Sequence, residues 1–298
     1  MTRAALRREL LARLRQTLAA YSFAADPGWE ADEILRHIAG VDRQARMTEP
    51  DAPVAEELCR AALAAADARG GAEPLGYVLG RSCFYGRDFF VCPGVLIPRA
   101  DSEVLVEEAL RDSSGPKNEK DQNNAGRDGT KSCGTLLDLC CGSGCLGLSV
   151  LAELPAWRGT AADVAEEALF AAAENARRLG LEDRLTVMRR DLLTEGLPGG
   201  RYDLILCNPP YLDRAETEAV DAEVAKEPVR ALLGGEDGLT FYRTLIPLCR
   251  QALQPGGRAI FEIGCSQRES VCEIARACGF STEVRQDYAG HDRAVIMK

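Results

Sequence analysis

The sequence predicts an α/β protein: a parallel sheet with helices on both faces, preceded by a small amino-terminal helical domain. Three observations carry this. From Gly134 onward, short apolar runs alternate with helical patterns, as βαβ units require. Runs such as TLLDLCC and YDLILCN are almost continuously apolar, which suits strands covered on both faces. Residues 1–72 hold only helical segments, and 298 residues fit two domains better than one on a prior of about 150 each.

The elements follow in order. Helices are expected over roughly Ala4 to Ala20, Glu30 to Ile38 and Ala52 to Ala68. Asp26-Pro27 supplies a cap and first-turn proline for the second, and Gly70-Gly71 stops the third. Residues 73–98 switch to aromatic and β-branched types punctuated by glycine, which reads as a β-hairpin linker. ADSEVLVEEALRD then begins the α/β domain, 99–298, with a helix capped by Asp101 or Ser102. Residues 113–132 carry almost no apolar side chain and read as a mobile surface insertion. Beyond them strands GTAADV, RLTVMRRD and YDLILCN alternate with helices CLGLSVLAEL and EEALFAAAENARRLG. The tail adds a helix from Thr240 to Ala252, a turn at Pro255-Gly256-Gly257, strand RAIFEIG, helix ESVCEIARACG and a final strand pair.

Composition narrows the function classes. A formal net charge of -10 argues against affinity built on non-specific attraction to phosphate backbones, so no direct nucleic-acid binding is expected. Twelve cysteines lie scattered without paired C-x-x-C spacing, and only His37 and His291 could assist them, so no metal site is expected. Most sit in apolar runs as small hydrophobes, which points to a reducing, cytoplasmic setting. No stretch reaches the ~18 apolar residues a membrane span needs. The arginine-rich start resembles a transit peptide, but Glu9 and the scarcity of serine favour an ordinary folded helix. A monomer is expected.

LLDLCCGSGCLG sets Gly142, Gly144 and Gly147 in G-x-G-x-x-G between a strand and a helix. Alone, the pattern reports only a tight turn that lets a ligand approach backbone near a helix N-terminus, and both a dinucleotide and S-adenosylmethionine fit it. The sulfonium of S-adenosylmethionine suits acidic neighbours, and Asp138 lies on the strand just before the loop. Asp163, about twenty residues on, is placed for two ribose hydroxyls in either case. Asp191, after the third strand, is placed for an adenine amino group or serves as a simple cap. Three acids at the carboxyl ends of successive strands converge on one crevice.

LILCNPPYLD ends the fourth strand. Pro209 and Pro210 cannot continue a sheet, so the Asn208 side chain and neighbouring carbonyls are left without ladder partners. A plain strand-ending turn would account for Asn and Pro alone. Together with the upstream D-x-x-x-G-x-G loop, however, Asn208-Pro209-Pro210-Tyr211 resembles the motif of methyltransferases acting on planar amino or amide nitrogens. Such a nitrogen is a weak nucleophile. The Asn208 oxygen and the Pro209 carbonyl could accept its two hydrogens and aim its lone pair, while Tyr211 supplies a stacking face. No histidine base is needed.

EPLGYVLG, FYGRDFFVCPGVLIPRADSE, NPPYL, Glu227-Pro228, LLGGEDGL and DYAGHDRAV together resemble the HemK/PrmC family of release-factor glutamine N5-methyltransferases. The resemblance runs through the whole chain except 113–132. It implies a Rossmann-like S-adenosylmethionine-dependent sheet, with S-adenosyl-L-methionine as cofactor and peptide chain release factors as protein substrate. It implies methylation of the Gly-Gly-Gln glutamine and a helical amino-terminal domain that grips the factor. On that resemblance the cofactor loop is Cys140, Cys141, Gly142, Ser143 and Gly144. The ribose acid is Asp163, the adenine side Asp191 and Leu192, and the substrate motif Asn208 to Tyr211, with Phe84, Phe89 and Arg99 near the active-site opening. Two departures stand out: Pro98-Arg99-Ala100-Asp101-Ser102-Glu103 where the family has PRPETE, and Cys140 and Cys141 where it has small Gly or Thr.

Other classes fit less of the chain. A DNA or RNA base methyltransferase shares the catalytic motif but would need a basic, base-flipping surface, which the charge and 6% aromatics do not supply. An NAD-dependent dehydrogenase leaves NPPY unexplained. A non-catalytic binding module has no use for strand-breaking prolines beside an unpaired amide.

Overall fold

A computed structural model describes residues 1–19, 26–111 and 133–298. The stretch read as an insertion, 113–132, lies outside them. The described residues form two compact units, Met1–Ser82 with Ala219–Glu227, and Cys83–Glu218 with Pro228–Lys298.

The first unit is helical. α1 (Arg3–Leu18) buries Leu6, Leu10, Leu14 and Leu18, a four-residue repeat that makes one apolar stripe, so the arginine-rich start is a folded helix. α2 (Pro27–His37) begins as the sequence implies: the Asp26 carboxylate accepts the Gly28 and Trp29 N–H groups. α3 (Arg43–Thr48), capped by Asp42, buries no residue and has no apolar stripe to announce it. α4 (Glu56–Arg69) starts four residues later than expected. Pro53 pairs in a β-bridge with Thr2, which holds that stretch extended.

Within this unit Arg69 is 1% exposed, and its guanidinium donates twice to the Glu30 carboxylate at 2.7 Å. Glu223, from the returning segment Ala219–Glu227, lies 3.3 Å from the same guanidinium. Burial alone would penalise the charge; the paired carboxylates reverse that and raise the Arg69 pKa.

The stretch 73–98 is not one hairpin. It holds α5 (Leu75–Leu79), and the hairpin is confined to β1 (Arg81–Phe84) and β2 (Arg87–Phe90). The Tyr85-Gly86 turn takes positive φ at both residues, as two-residue hairpin turns do.

In the second unit come α6 (Glu103–Arg111), β3 (Thr135–Leu139), α7 (Cys145–Glu153), β4 (Arg158–Asp163), α8 (Glu166–Arg178), β5 (Leu185–Arg189), β6 (Tyr202–Cys207), α9 (Arg214–Glu218), α10 (Thr240–Ala252), β7 (Leu253–Glu262), α11 (Arg268–Ala277), β8 (Thr282–Gln286) and β9 (Asp292–Met297). The sheet order is β5-β4-β3-β6-β7-β9-β8, parallel except at β9, which is antiparallel to β7 and β8. Order reverses between β3 and β6, where such sheets open a crevice at the strands' carboxyl ends. One apolar core, including Leu136, Leu204, Leu206 and Ile260, fills one face; the other, including Leu137, Ile205, Tyr242 and Phe261, fills the opposite face. The expected Pro255-Gly256-Gly257 turn is an outward loop inside β7, where the register with β6 jumps from Tyr202↔Leu253 to Leu204↔Arg258.

Candidate active site

β3 ends at Leu139, and the next five residues form the glycine loop. Gly142 and Gly144 take φ of 53° and 77°, and Cys140 takes 54°, a conformation costly for a residue with a Cβ. The loop is held from three sides. The Asp163 carboxylate accepts the Gly142 N–H at 3.0 Å, and the Ala162 carbonyl accepts the Cys141 N–H at 3.2 Å. The buried Asn175 side chain on α8 donates to the carbonyls of Ser143 and Phe90, and its Oδ1 accepts the Phe90 N–H at 2.6 Å. Asn175 was not legible as a site residue, because its partners are distant in sequence.

Beneath the loop Asp138 is 1% exposed. One oxygen accepts the Gly147 N–H at 3.0 Å, and the other has no hydrogen-bond partner among the described residues. Burial pushes its carboxyl up to about 7, with the Gly147 bond opposing and the Asp163 charge adding. Asp138 does not line the crevice; it sits behind the loop. A Cβ at Gly147 would meet its Oδ2 at 2.8 Å, so this third glycine is what lets the carboxylate fit.

The crevice is a cavity of about 250 Å³. Of the sequence-predicted residues, Cys140, Cys141, Gly142, Ser143, Asp163, Asp191, Leu192, Asn208, Pro210 and Arg99 line it. Gly144, Pro209 and Tyr211 are not among the lining residues, but each adjoins one along the chain. Phe84 does not reach it at all: both it and Phe89 are fully buried and pack edge to face at 6.1 Å. Large aromatic rings in so short a hairpin gain more from the core than from the surface. Arg190, Arg230 and the Gly94–Pro98 stretch also line the cavity and were missed, having no local pattern.

The cavity suits S-adenosylmethionine. A Cβ at Gly142 would enter open space, so the glycine keeps a cradle clear at the backbone. Burial raises the Asp163 pKa while backbone N–H groups of Ala165 and Gly142 hold it down. Those two bonds leave carboxylate lone pairs for vicinal hydroxyls. Leu146, Ala168 and Leu192 supply apolar walls, and Asp191 forms the rim, its Oδ1 accepting the Leu193 N–H. A hydrogen bond from the Thr194 side chain holds the Asp191 carboxyl below its ordinary range.

The Asn208–Tyr211 turn is braced by the glycines of LLGGEDGL. The Leu212 N–H donates to the Leu232 carbonyl at 2.9 Å, and the Gly234 N–H donates to the Leu212 carbonyl at 2.8 Å. Gln267 donates to the Tyr211 carbonyl at 2.8 Å. A Cβ at Gly234 would stand 2.6 Å from the Pro210 carbonyl oxygen, and one at Gly238 2.3 Å from that of Tyr211. Burial beside Glu262 raises the Tyr211 phenol pKa. In DYAGHDRAV, Asp287 accepts N–H groups from Ala289 and His291 and the guanidinium of Arg293. The expected helix cap is also different: Ser102 sits in a 3-10 turn before α6, and its hydroxyl accepts the Asn208 side-chain N–H at 3.4 Å.

Among the described residues no cluster could hold a metal ion, and no helix is long and apolar enough to cross a membrane.

Residues 9–80 match the PrmC N-terminal domain and residues 128–236 the Methyltransferase small domain. A Release factor glutamine methyltransferase of Moorella thermoacetica is 38% identical over 91% of this chain and 90% of that protein. Proteins of the same name are 37% identical in Geobacter sulfurreducens, over 89% and 87%, and 35% in Nitratidesulfovibrio vulgaris, over 97% and 94%. A solved methyltransferase from Pyrococcus furiosus superposes with a TM-score of 0.51 at 17% identity, covering 72% of this chain and 88% of that one, a likeness of fold. With both domains matched and identity sustained along nearly the whole length, the chain belongs to the release factor glutamine methyltransferase family.

Proposed function

We propose that this chain transfers a methyl group from S-adenosylmethionine to the side-chain amide nitrogen (N5) of the glutamine in the Gly-Gly-Gln motif of peptide chain release factors. The observation that carries the reading is that Asn208 and Pro210 share one cavity with Asp163 and the glycine loop. The named relatives supply the substrate class.

In this reading Cys140 to Gly144 cradle the cofactor, Asp163 accepts its ribose hydroxyls, and Asp191 and Leu192 flank its adenine. When bound, S-adenosylmethionine supplies an electrophilic methyl carbon. The Asn208 oxygen and the Pro209 carbonyl accept the two amide hydrogens, which fixes the nitrogen and directs its lone pair into the cavity. Tyr211 packs against the planar amide. Once methylated, the nitrogen is acidic and loses its proton to solvent, so no side-chain base is required. The fully buried Leu206 and Cys207 close the floor beneath the turn and exclude water there.

The helical unit grips the release factor, and the enzyme works as a monomer on this large partner. A net charge of -10 favours a protein substrate over nucleic-acid bases.

The test is mass spectrometry of an unmodified release factor after incubation with the protein and S-adenosylmethionine. A gain of one methyl group on the Gly-Gly-Gln glutamine is expected. Cofactor binding without methylation of that glutamine would contradict the substrate assignment.

A further inference from the structure

The buried residues of α8 are Ala168, Ala171, Ala172 and Ala176, with one exception, Asn175. Asparagine suits a helix interior less well than alanine, and a buried amide needs partners for its polar groups. Asn175 is fully buried, and it finds those partners in the backbone of two segments far from it in sequence. Its NH2 group donates to the Ser143 carbonyl at 2.9 Å and to the Phe90 carbonyl at 3.0 Å, while its Oδ1 accepts the Phe90 N–H at 2.6 Å. A carbonyl cannot donate and a backbone N–H cannot accept, so these three bonds admit one orientation of the amide.

Both segments belong to the cavity. Ser143 is in the glycine loop. Phe90 ends β2, and four residues later the stretch Gly94 to Arg99 lines the cavity as a wall. The hairpin of β1 and β2 has no third strand, and toward Phe90 the amide supplies the donor and acceptor that a neighbouring strand would. α8 secures the same wall elsewhere. The Phe90 ring lies 4.9 Å from the Arg178 guanidinium and meets Phe170 edge to face at 5.8 Å. Gly94 has φ of 95°, and a Cβ there would stand 3.0 Å from the Glu167 side chain. One helix therefore backs both the loop and the wall, and Asn175 is hydrogen-bonded to each.

We propose that Asn175 is a positioning residue for the cofactor: it fixes the spacing between the glycine loop and the Gly94–Arg99 wall, and with it the width of the cavity, without lining the cavity itself. The inference rests on the reading of this cavity as the S-adenosylmethionine site. The bonds run to backbone atoms, so they set where the two segments lie and leave their side chains free to meet a ligand. Removing the two donors would leave the Ser143 and Phe90 carbonyls without this partner and the two segments tied only through packing. The Asn208 turn leaves the end of β6 and is braced by Leu232, Gly234 and Gln267, none of which Asn175 contacts. Loss of Asn175 should therefore act on cofactor affinity and spare methyl transfer from the bound cofactor.

The experiment titrates S-adenosylmethionine by calorimetry into the full chain and its variants, with steady-state methylation of a release factor and thermal midpoints alongside. Asn175→Asp keeps the shape and the acceptor but turns an oxygen toward the two carbonyls in place of the donors. Asn175→Ser is the milder variant, kept for the case that a buried aspartate prevents folding. Either should raise the cofactor Kd and KM by about ten-fold or more, with kcat at saturating cofactor within about three-fold of wild type. Gly94→Ala disturbs the same wall from its other end and should also weaken the cofactor. Combined with Asn175→Ser it should weaken it by less than the product of the two separate fold-changes, because both release one wall. A lower thermal midpoint with Kd and KM unchanged would make Asn175 a packing residue and overturn the proposal, as would a fall in kcat with Kd unchanged. Asp163→Ala separates the two levels. If it weakens the cofactor while the Asn175 variants do not, the positioning role alone has failed; if it too leaves affinity unchanged, the cofactor reading of the cavity has failed and the inference with it.

Discussion

Asp163, the last residue of β4, accepts the backbone N–H of Gly142 at 3.0 Å, tying the second strand of the crevice to the glycine loop of the first. In the proposed function the same carboxylate has two tasks, to hold the loop and to meet the cofactor. Asp163→Ala should weaken S-adenosylmethionine by roughly 1.5–3 kcal/mol through lost charged hydrogen bonds, about 10- to 150-fold in Kd. Calorimetry checks this, and an unchanged affinity would remove Asp163 from the ribose site.

Gly238 takes φ of 69° and its would-be Cβ falls 2.3 Å from the Tyr211 carbonyl oxygen. Both atoms belong to backbone, so neither yields cheaply. Gly238→Ala should displace the Asn208–Tyr211 turn, adding about 1–2 kcal/mol of left-handed strain. Methyl transfer should fall sharply while cofactor affinity changes little. Loss of both together would mean that the turn and the cofactor loop move as one body.

Asp138 gives a pH dependence with a definite sign. Its folded carboxyl titrates at about 7 against an ordinary 3.8. Below about pH 4 both states hold the proton; between about 4 and 7 only the folded state does, so stability falls as pH rises and the loss is complete above 7. Asp138→Asn keeps an acceptor for Gly147 and does not titrate. In cofactor-free protein the variant should gain on wild type from about pH 4 to 7, by a few kcal/mol and no more than about 4. Denaturant melts at the two ends of that range would reveal it. A difference independent of pH would contradict the burial of Asp138 as a carboxyl that holds its proton.

The Arg69–Glu30 pair is buried in the helical unit and joined by two hydrogen bonds of 2.7 Å. Arg69→Ala leaves Glu30 buried without its partner and should cost about 3–5 kcal/mol. Replacing both with apolar residues of similar size should cost much less. Denaturant unfolding of the single and double variants decides, and an equal loss in both would assign the effect to packing.

Much of this was legible in the sequence, for identifiable reasons. The alternation from Gly134 onward gave every parallel strand, because each is short, apolar and bounded by turn residues. The loop residues and Asn208 were legible because glycine and proline have few structural meanings at strand ends. α3 was invisible, having no buried face, and residues 73–98 looked like a single hairpin because aromatic residues there serve the core. Asn175, Ser102 and Glu262 were hidden for a different reason. Their hydrogen bonds are made with partners 85, 106 and 51 residues away. Only the acid inside AIFEIG carried a local signal, a charge where the strand has no exposed face.

The central claim is a division of labour, with the glycine loop and Asp163 holding the cofactor and the Asn208 turn holding the amide. Single-turnover methyl transfer by Asn208→Ala, paired with calorimetric titration of S-adenosylmethionine, tests it most directly. The expected result is transfer reduced by about a hundred-fold or more with cofactor affinity within about three-fold of wild type. Equal loss of binding and transfer, or full transfer without the asparagine, would contradict it.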